Sequence, residues 1–244
     1  MTIRKASEVR IYVGAYDLSL MATTAGIGLE APALDKTVFV DSAESATADI
    51  RRDTFSVAGW FDDQAQSVDA LISTLIGTGS NIASILIGTG TGARAYFGTV
   101  LVGAAKVEGK IGELVRASVN LHPDGRLYPG VHFGPKTTQT GDTVSGSVDL
   151  GSALNSGTVY GATHLLQFSG TLGTVTLNIK RGPDTTSWSV LFQHKYTAIG
   201  STLTSTAGVD VFSGVDRYLR VDPTTSTASG TFTWVGIAVV KSTV

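Results

Sequence analysis

The chain reads as an almost wholly β protein: one β-sandwich with a single flanking helix, followed by a second β-sandwich. Three observations predict this. Short segments with alternating apolar residues recur along all 244 residues, 29 glycines and frequent Ser and Thr punctuate them, and only one stretch has helical periodicity.

Val9 to Val13 places Val9, Ile11 and Val13 on one face and is closed by Gly14. Thr37 to Val40 and Thr54 to Trp60 are further strands. Between them Asp41 to Asp49 is small, polar and acidic, which predicts a loop ordered only by a partner. The helix follows, with Asp62 or Asp63 as its cap and Val68, Leu71, Ile72, Leu75 and Ile76 at helical spacing. Gly77 supplies its stop. Ile82 to Ile87, Ala93 to Val102 and Ala105 to Leu121 return to strand, the last with a bend at Gly109 to Gly112. Ala105, Val107, Ile111, Val115, Ala117, Val119 and Leu121 form one side of that last strand. Lys106, Glu108, Lys110, Arg116, Ser118 and Asn120 form the other, and Lys106, Glu108, Lys110 and Arg116 are the candidate solvent- or lumen-facing residues.

A change of composition divides the chain. Residues 1–136 carry 12 basic, 14 acidic and 21 Ser or Thr residues, against 6, 6 and 34 in residues 137–244, so the second part is a separate, hydroxyl-rich unit. The Pro and Gly pairs from Pro123 to Lys136 predict a joint. The expected division is therefore a domain over 1–122, a linker over 123–138 and a domain over 139–244. Strands are expected at Thr163 to Phe168, Thr174 to Lys180, Ser187 to Gln193, Tyr218 to Val221 and Thr231 to Val240. Turns are expected at Gly182-Pro183-Asp184 and Asp222-Pro223-Thr224, and Phe168, Trp188, Phe192, Phe232 and Trp234 are the expected core.

The search for chemistry excludes more than it finds. Zero cysteines remove disulfides and thiol nucleophiles, and nucleophile-elbow, phosphate-loop and zinc-helix motifs are absent. His122, His132, His164 and His194 are scattered and match no compact metal motif. Gly88 to Ala93 lacks the last glycine of a dinucleotide loop and reads as a hairpin loop. Asp62 and Asp63 read as caps rather than paired catalytic carboxylates. Arg51 and Arg52 are balanced by Asp49 and Asp53, and a net charge of −2 gives no footprint for tight nucleic-acid or membrane binding. No apolar run approaches membrane-spanning length, and neither a signal peptide nor insertion is expected. No enzyme, cofactor or metal is expected.

The order of elements carries more than any motif. Val9 to Ser19, then Leu34-Asp35-Lys36-Thr37 with an acidic loop ending in Arg51-Arg52-Asp53, resembles the opening of siphophage tail tube (major tail) proteins. So do Phe55 to Asp62 before a single helix and Gly92 to Gly98 before a last strand pair. The resemblance covers about residues 8–122, with Met21 to Ala25 departing from the regular strand of that family. It implies an orthogonally packed sandwich with a flanking helix, six copies per ring, and stacked rings through which DNA is ejected. It also implies that the early loop bridges rings, here through Asp41, Glu44, Asp49, Arg51 and Arg52. The second unit resembles immunoglobulin-like or jelly-roll decorations. The partners implied are further copies of the chain, the tape measure and tail terminator or tip proteins, and DNA in transit without tight binding. The place implied is the virion, after synthesis in the host cytoplasm. A carbohydrate-binding or adhesin-like protein is the alternative, distinguished by an exposed aromatic platform at Trp60, Trp188 or Trp234.

Overall fold

The structure is a computed structural model that describes residues 8–20, 22–31, 33–35, 46–48, 52–61, 68–78, 81–125, 127–140, 147–170, 173–198, 204–226 and 230–242. In order, the N-terminal elements are β1 (Val9–Val13), β2 (Tyr16–Asp17), β3 (Ala22–Glu30), β4 (Ala33–Asp35), β5 (Ala46–Ala48), β6 (Arg52–Trp60), α1 (Val68–Leu75), β7 (Asn81–Ile87), β8 (Arg94–Glu108) and β9 (Arg116–Pro123). They are followed by β10 (Tyr128–Thr140), β11 (Val148–Gly170), β12 (Gly173–Gly182), β13 (Ser189–Ala198), β14 (Thr204–Ser226) and β15 (Gly230–Ser242). The mainly β class is as the sequence predicts, and α1 is the sole helix among the described residues.

Strand β8 builds the first sandwich by belonging to both of its layers. Its first half pairs with β7, which pairs with β1; its second half pairs with β9, which continues through β6 to β3. The register shifts between Val102 and Ala104, and Gly103 sits in that shift where a side chain would collide with the His122 imidazole. A strand that changes layer at a bulge is the corner device of orthogonally packed sheets.

The core lies between the layers. Ile11, Val13 and Ile85 face Phe55, Val57, Ala117, Val119 and Leu121 across it. Burial alternates along β6, with Phe55 and Val57 inward and Thr54, Ser56 and Trp60 outward, as the period of a strand requires. Helix α1 buries Leu71 completely and packs Ile72 and Leu75 on the same core. Gly77 ends it at φ 73°, a conformation that favours glycine, and donates its N–H to the Val102 carbonyl at 3.0 Å. The expected caps Asp62 and Asp63, and the expected strand Thr37 to Val40, lie outside the described residues.

The structure corrects four expectations. The linker over 123–138 is instead largely strand: β10 pairs with β8 on one side and β15 on the other, so backbone hydrogen bonding passes from the first layer into the C-terminal strands. Ala105 to Leu121 is not one bent strand but the two arms of the β8–β9 hairpin, turned at Gly112 with φ 87° and a Glu113 N–H to Lys110 carbonyl bond of 3.0 Å. Its apolar side consequently splits, with Ala117, Val119 and Leu121 buried and Val107, Ile111 and Val115 exposed. Asp222-Pro223-Thr224 lies within β14, opposite Asn178, Leu177 and Thr176. Among the described residues the β11 pairing of β14 runs only to Leu219, so Pro223 is paired there with β12 alone. Finally, Trp188 sits half-buried beside the turn at 183–187 rather than in a core, its indole N–H bonded to the Thr185 carbonyl at 3.1 Å. Of the irregular segment Met21 to Ala25, Ala22 to Ala25 lie in β3 with a register shift between Ala22 and Thr24, and Met21 lies outside the described residues.

The two parts also pack face to face. Tyr12, Ile82, Leu86, Ala95 and Phe97, on the reverse of the β1–β7–β8 layer, form a second core with Ala162 and Leu166 of β11. His164, wholly buried, joins them: its Nδ1 lies 2.7 Å from the Gly14 carbonyl and its Nε2 2.7 Å from the Ser84 hydroxyl. A carbonyl only accepts, so Nδ1 carries the proton and Nε2 accepts from Ser84. Burial lowers its pKa to about 4, against the opposing pull of the Gly14 carbonyl. This histidine is a structural tie, with both ring nitrogens used.

Candidate assembly surfaces

Among the described residues no three His, Asp or Glu side chains gather to hold a metal ion. The histidines stay dispersed: His132 and His164 are buried, His122 is exposed, and the side chain of His194 lies outside the described residues. Gly88 to Ala93 forms the β7–β8 hairpin loop, as expected.

Of the predicted ring-bridging residues, Asp41, Glu44, Asp49 and Arg51 lie outside the described residues. Arg52 is exposed at the start of β6, opposite Glu30. The predicted polar face is brought together: Lys106, Glu108, Lys110 and Arg116 are all exposed on one hairpin, Lys106 is ion-paired with Glu108, and Glu108 stands opposite Arg116. The Arg116 guanidinium lies over the Trp60 ring at 5.2 Å, and that of Arg220 lies over Trp188 at 4.2 Å. Trp60, though 38% exposed, therefore presents an arginine-covered face rather than a bare platform of the kind a sugar-binding site uses. The side chain of Trp234 lies outside the described residues.

Two surfaces were missed in the sequence reading. The first is an edge. Among the described strands β3, nine residues long, pairs only with β6, while the Ala22 N–H turns back to the Leu18 carbonyl at 3.0 Å. Leu20, 97% exposed, precedes it and Leu29 is exposed near its end. Behind this edge a groove of about 740 Å³ opens between β3 and the β1–β7 layer, lined by Val9, Ile11, Ile27, Leu29, Ile85 and Ile87 among others. The second surface is the β8–β9 tip, where Ile111 is fully exposed and Leu114 is 69% exposed. Val107 and Val115 are exposed on the same ribbon, so the tip carries several apolar side chains at the surface. The apolar residues of the hairpin were visible in the sequence, but reading 105–121 as one strand hid their exposure.

No protein family and no curated protein matches the chain by sequence. Among solved structures, the chain is similar over 95% of its length to 99% of the Dit (gp 19.1) protein of phage SPP1, a hub of the adsorption apparatus in phages infecting Gram-positive hosts, at 11% identity and a TM-score of 0.33. It is also similar over 98% of its length to 74% of VP2 in the infectious bursal disease virus subviral particle, at 11% identity and a TM-score of 0.32.

Proposed function

We propose that the chain is a non-catalytic structural protein of a virion, which assembles with copies of itself into rings that stack as the tube of a phage tail. The carrying observation is that, among the described residues, β3 pairs on one edge only, beside an open groove lined by aliphatic side chains together with Arg10, Ser19, Thr23 and Thr24, and a neighbouring copy supplies the second partner. A contact between two different surfaces of the same chain either closes into a ring or propagates as a filament, and rings whose sheets join become a barrel with a lumen.

The resemblance over residues 8–122 narrows that geometry to a tail tube of six-fold rings. The segment Asp41 to Arg52 then bridges one ring to the next, and the tape measure and the terminator or tip proteins are the flanking partners. The near-neutral charge, 18 basic against 20 acidic residues, suits a conduit, because DNA slides where few cations hold its phosphates. Sedimentation velocity across a concentration series tests the reading. Discrete growth from monomer to a ring-sized species supports it, and a monomer at every concentration refutes it.

A further inference from the structure

We propose that His164 is an acid-released latch: a second proton on its ring frees the β11 face from the β1–β7–β8 layer while the first sandwich stays folded. His164 projects from β11 into the first part, and both of its ring nitrogens are engaged there, by the Gly14 carbonyl and the Ser84 hydroxyl. A second proton can enter only at Nε2, where it displaces the hydrogen that Ser84 donates. The resulting imidazolium lies wholly buried in the apolar interface of Tyr12, Ile82, Leu86, Ala162 and Leu166.

The charges around the ring do not offset this. Arg10 lies farther along β1 and Glu8 just before it, and β2 contributes Asp17, whose Oδ1 already accepts from the Ser19 N–H and hydroxyl. On the same side of β10 stand Tyr128 and His132. β7 brings Ile82, Ser84 and Leu86, β8 brings Ala95 and Phe97, and the residues opposite His164 on β14 and β15 are Ser205 and Val235, none of which carries a charge. Burial therefore holds the closed ring to about 4, with the Gly14 carbonyl and then Asp17 opposing, whereas the wet ring of an opened chain titrates near 6.5. As pH falls below 6.5 the open form takes the proton first, and closure weakens until about pH 4.

The opening is local because the first sandwich is closed without β11. Ile11, Val13, Phe55, Val57, Leu71 and Val119 belong to a core between its own layers. Among the described strands, its backbone pairing to the C-terminal part runs through β10, which meets β8 over Tyr128 to Val131 and forms the hinge.

The chain has no cysteine, so one engineered thiol reports opening without background. Ala162→Cys places it on the latch face and Val119→Cys in the first sandwich's core, both at buried positions. Each full-length variant is labelled with a pyridyl disulfide, which attacks thiols even in acid, and its rate is divided by that of the same variant in urea at the same pH. Ala162→Cys should label about thirtyfold faster at about pH 5 than at about pH 7.5, and at least about tenfold faster than Val119→Cys at the lower pH. Adding His164→Gln, which does not titrate and leaves His132 in place, should abolish that pH response. Equal rates for Ala162→Cys at the two pH values, equal rates for the two thiols at about pH 5, or a pH response that survives His164→Gln would each overturn the latch. The comparison of the two thiols retains His164 and decides the matter even where the glutamine variant fails to fold.

Discussion

Replacing His164 by alanine tests how the second part is fastened to the first. The side chain makes two buried hydrogen bonds, to Gly14 and Ser84, and fills space beside Tyr12, whose ring centroid is 5.7 Å away. His164→Ala leaves a hydroxyl and a carbonyl unpaired and opens a cavity, costing about 3–4 kcal/mol. The pH dependence supplies a second signature. The imidazole titrates near 6.5 when unfolded and at about 4 when folded. As pH falls below 6.5 the unfolded chain takes the proton first, so stability is full above that value and lost between 6.5 and 4. The loss reaches about 2 kcal/mol by about pH 5. Urea unfolding of wild type and variant at about pH 7.5 and pH 5 measures both effects. A variant within about 0.5 kcal/mol of wild type, or equal pH slopes for the two proteins, would refute this account of the tie.

Other outcomes follow from single contacts. Gly182→Ala should destabilise by about 1–3 kcal/mol in urea unfolding, because the added Cβ meets the Ser187 backbone carbonyl, which cannot move as a side chain would. Asp222→Asn should cost about 3 kcal/mol: Lys180 and Arg220 stand directly opposite each other, both largely buried, and the Asp222 carboxylate bridges them at 2.7 and 2.8 Å. An unchanged melting temperature for that variant would show the two cations to be solvated instead. Duplex DNA should not bind below micromolar concentration at physiological salt, and a tight complex with a steep salt slope by fluorescence anisotropy would contradict the conduit reading.

The sequence disclosed most where local period decides structure. Phe55 and Val57 on alternate residues, the 68–76 helical stripe and Gly77 each marked its element, because strand and helix impose different spacings on the same apolar residues. It disclosed less where tertiary contact decides. Ile82 to Ile87 is apolar at nearly every position, the signature of a strand buried on both faces, yet its second face is explained only by Ala162 and Leu166, far along the chain. The prolines and glycines of 123–136 suggested a linker, but sheet pairing to β8 and β15 overrode them in β10. Reading through Gly109 to Gly112 as a bend missed the reversal that exposes Ile111 and Leu114. That β3 pairs only with β6 among the described strands is a property of topology, which no residue of Ala22–Glu30 announces by itself.

Negative-stain electron microscopy of the purified full chain, viewed over increasing protein concentration, tests the central claim most directly. The account predicts annular particles with a central hole that stack end to end into tubes of constant diameter. Only isolated particles of single-chain size, at concentrations where the protein remains folded, would contradict it.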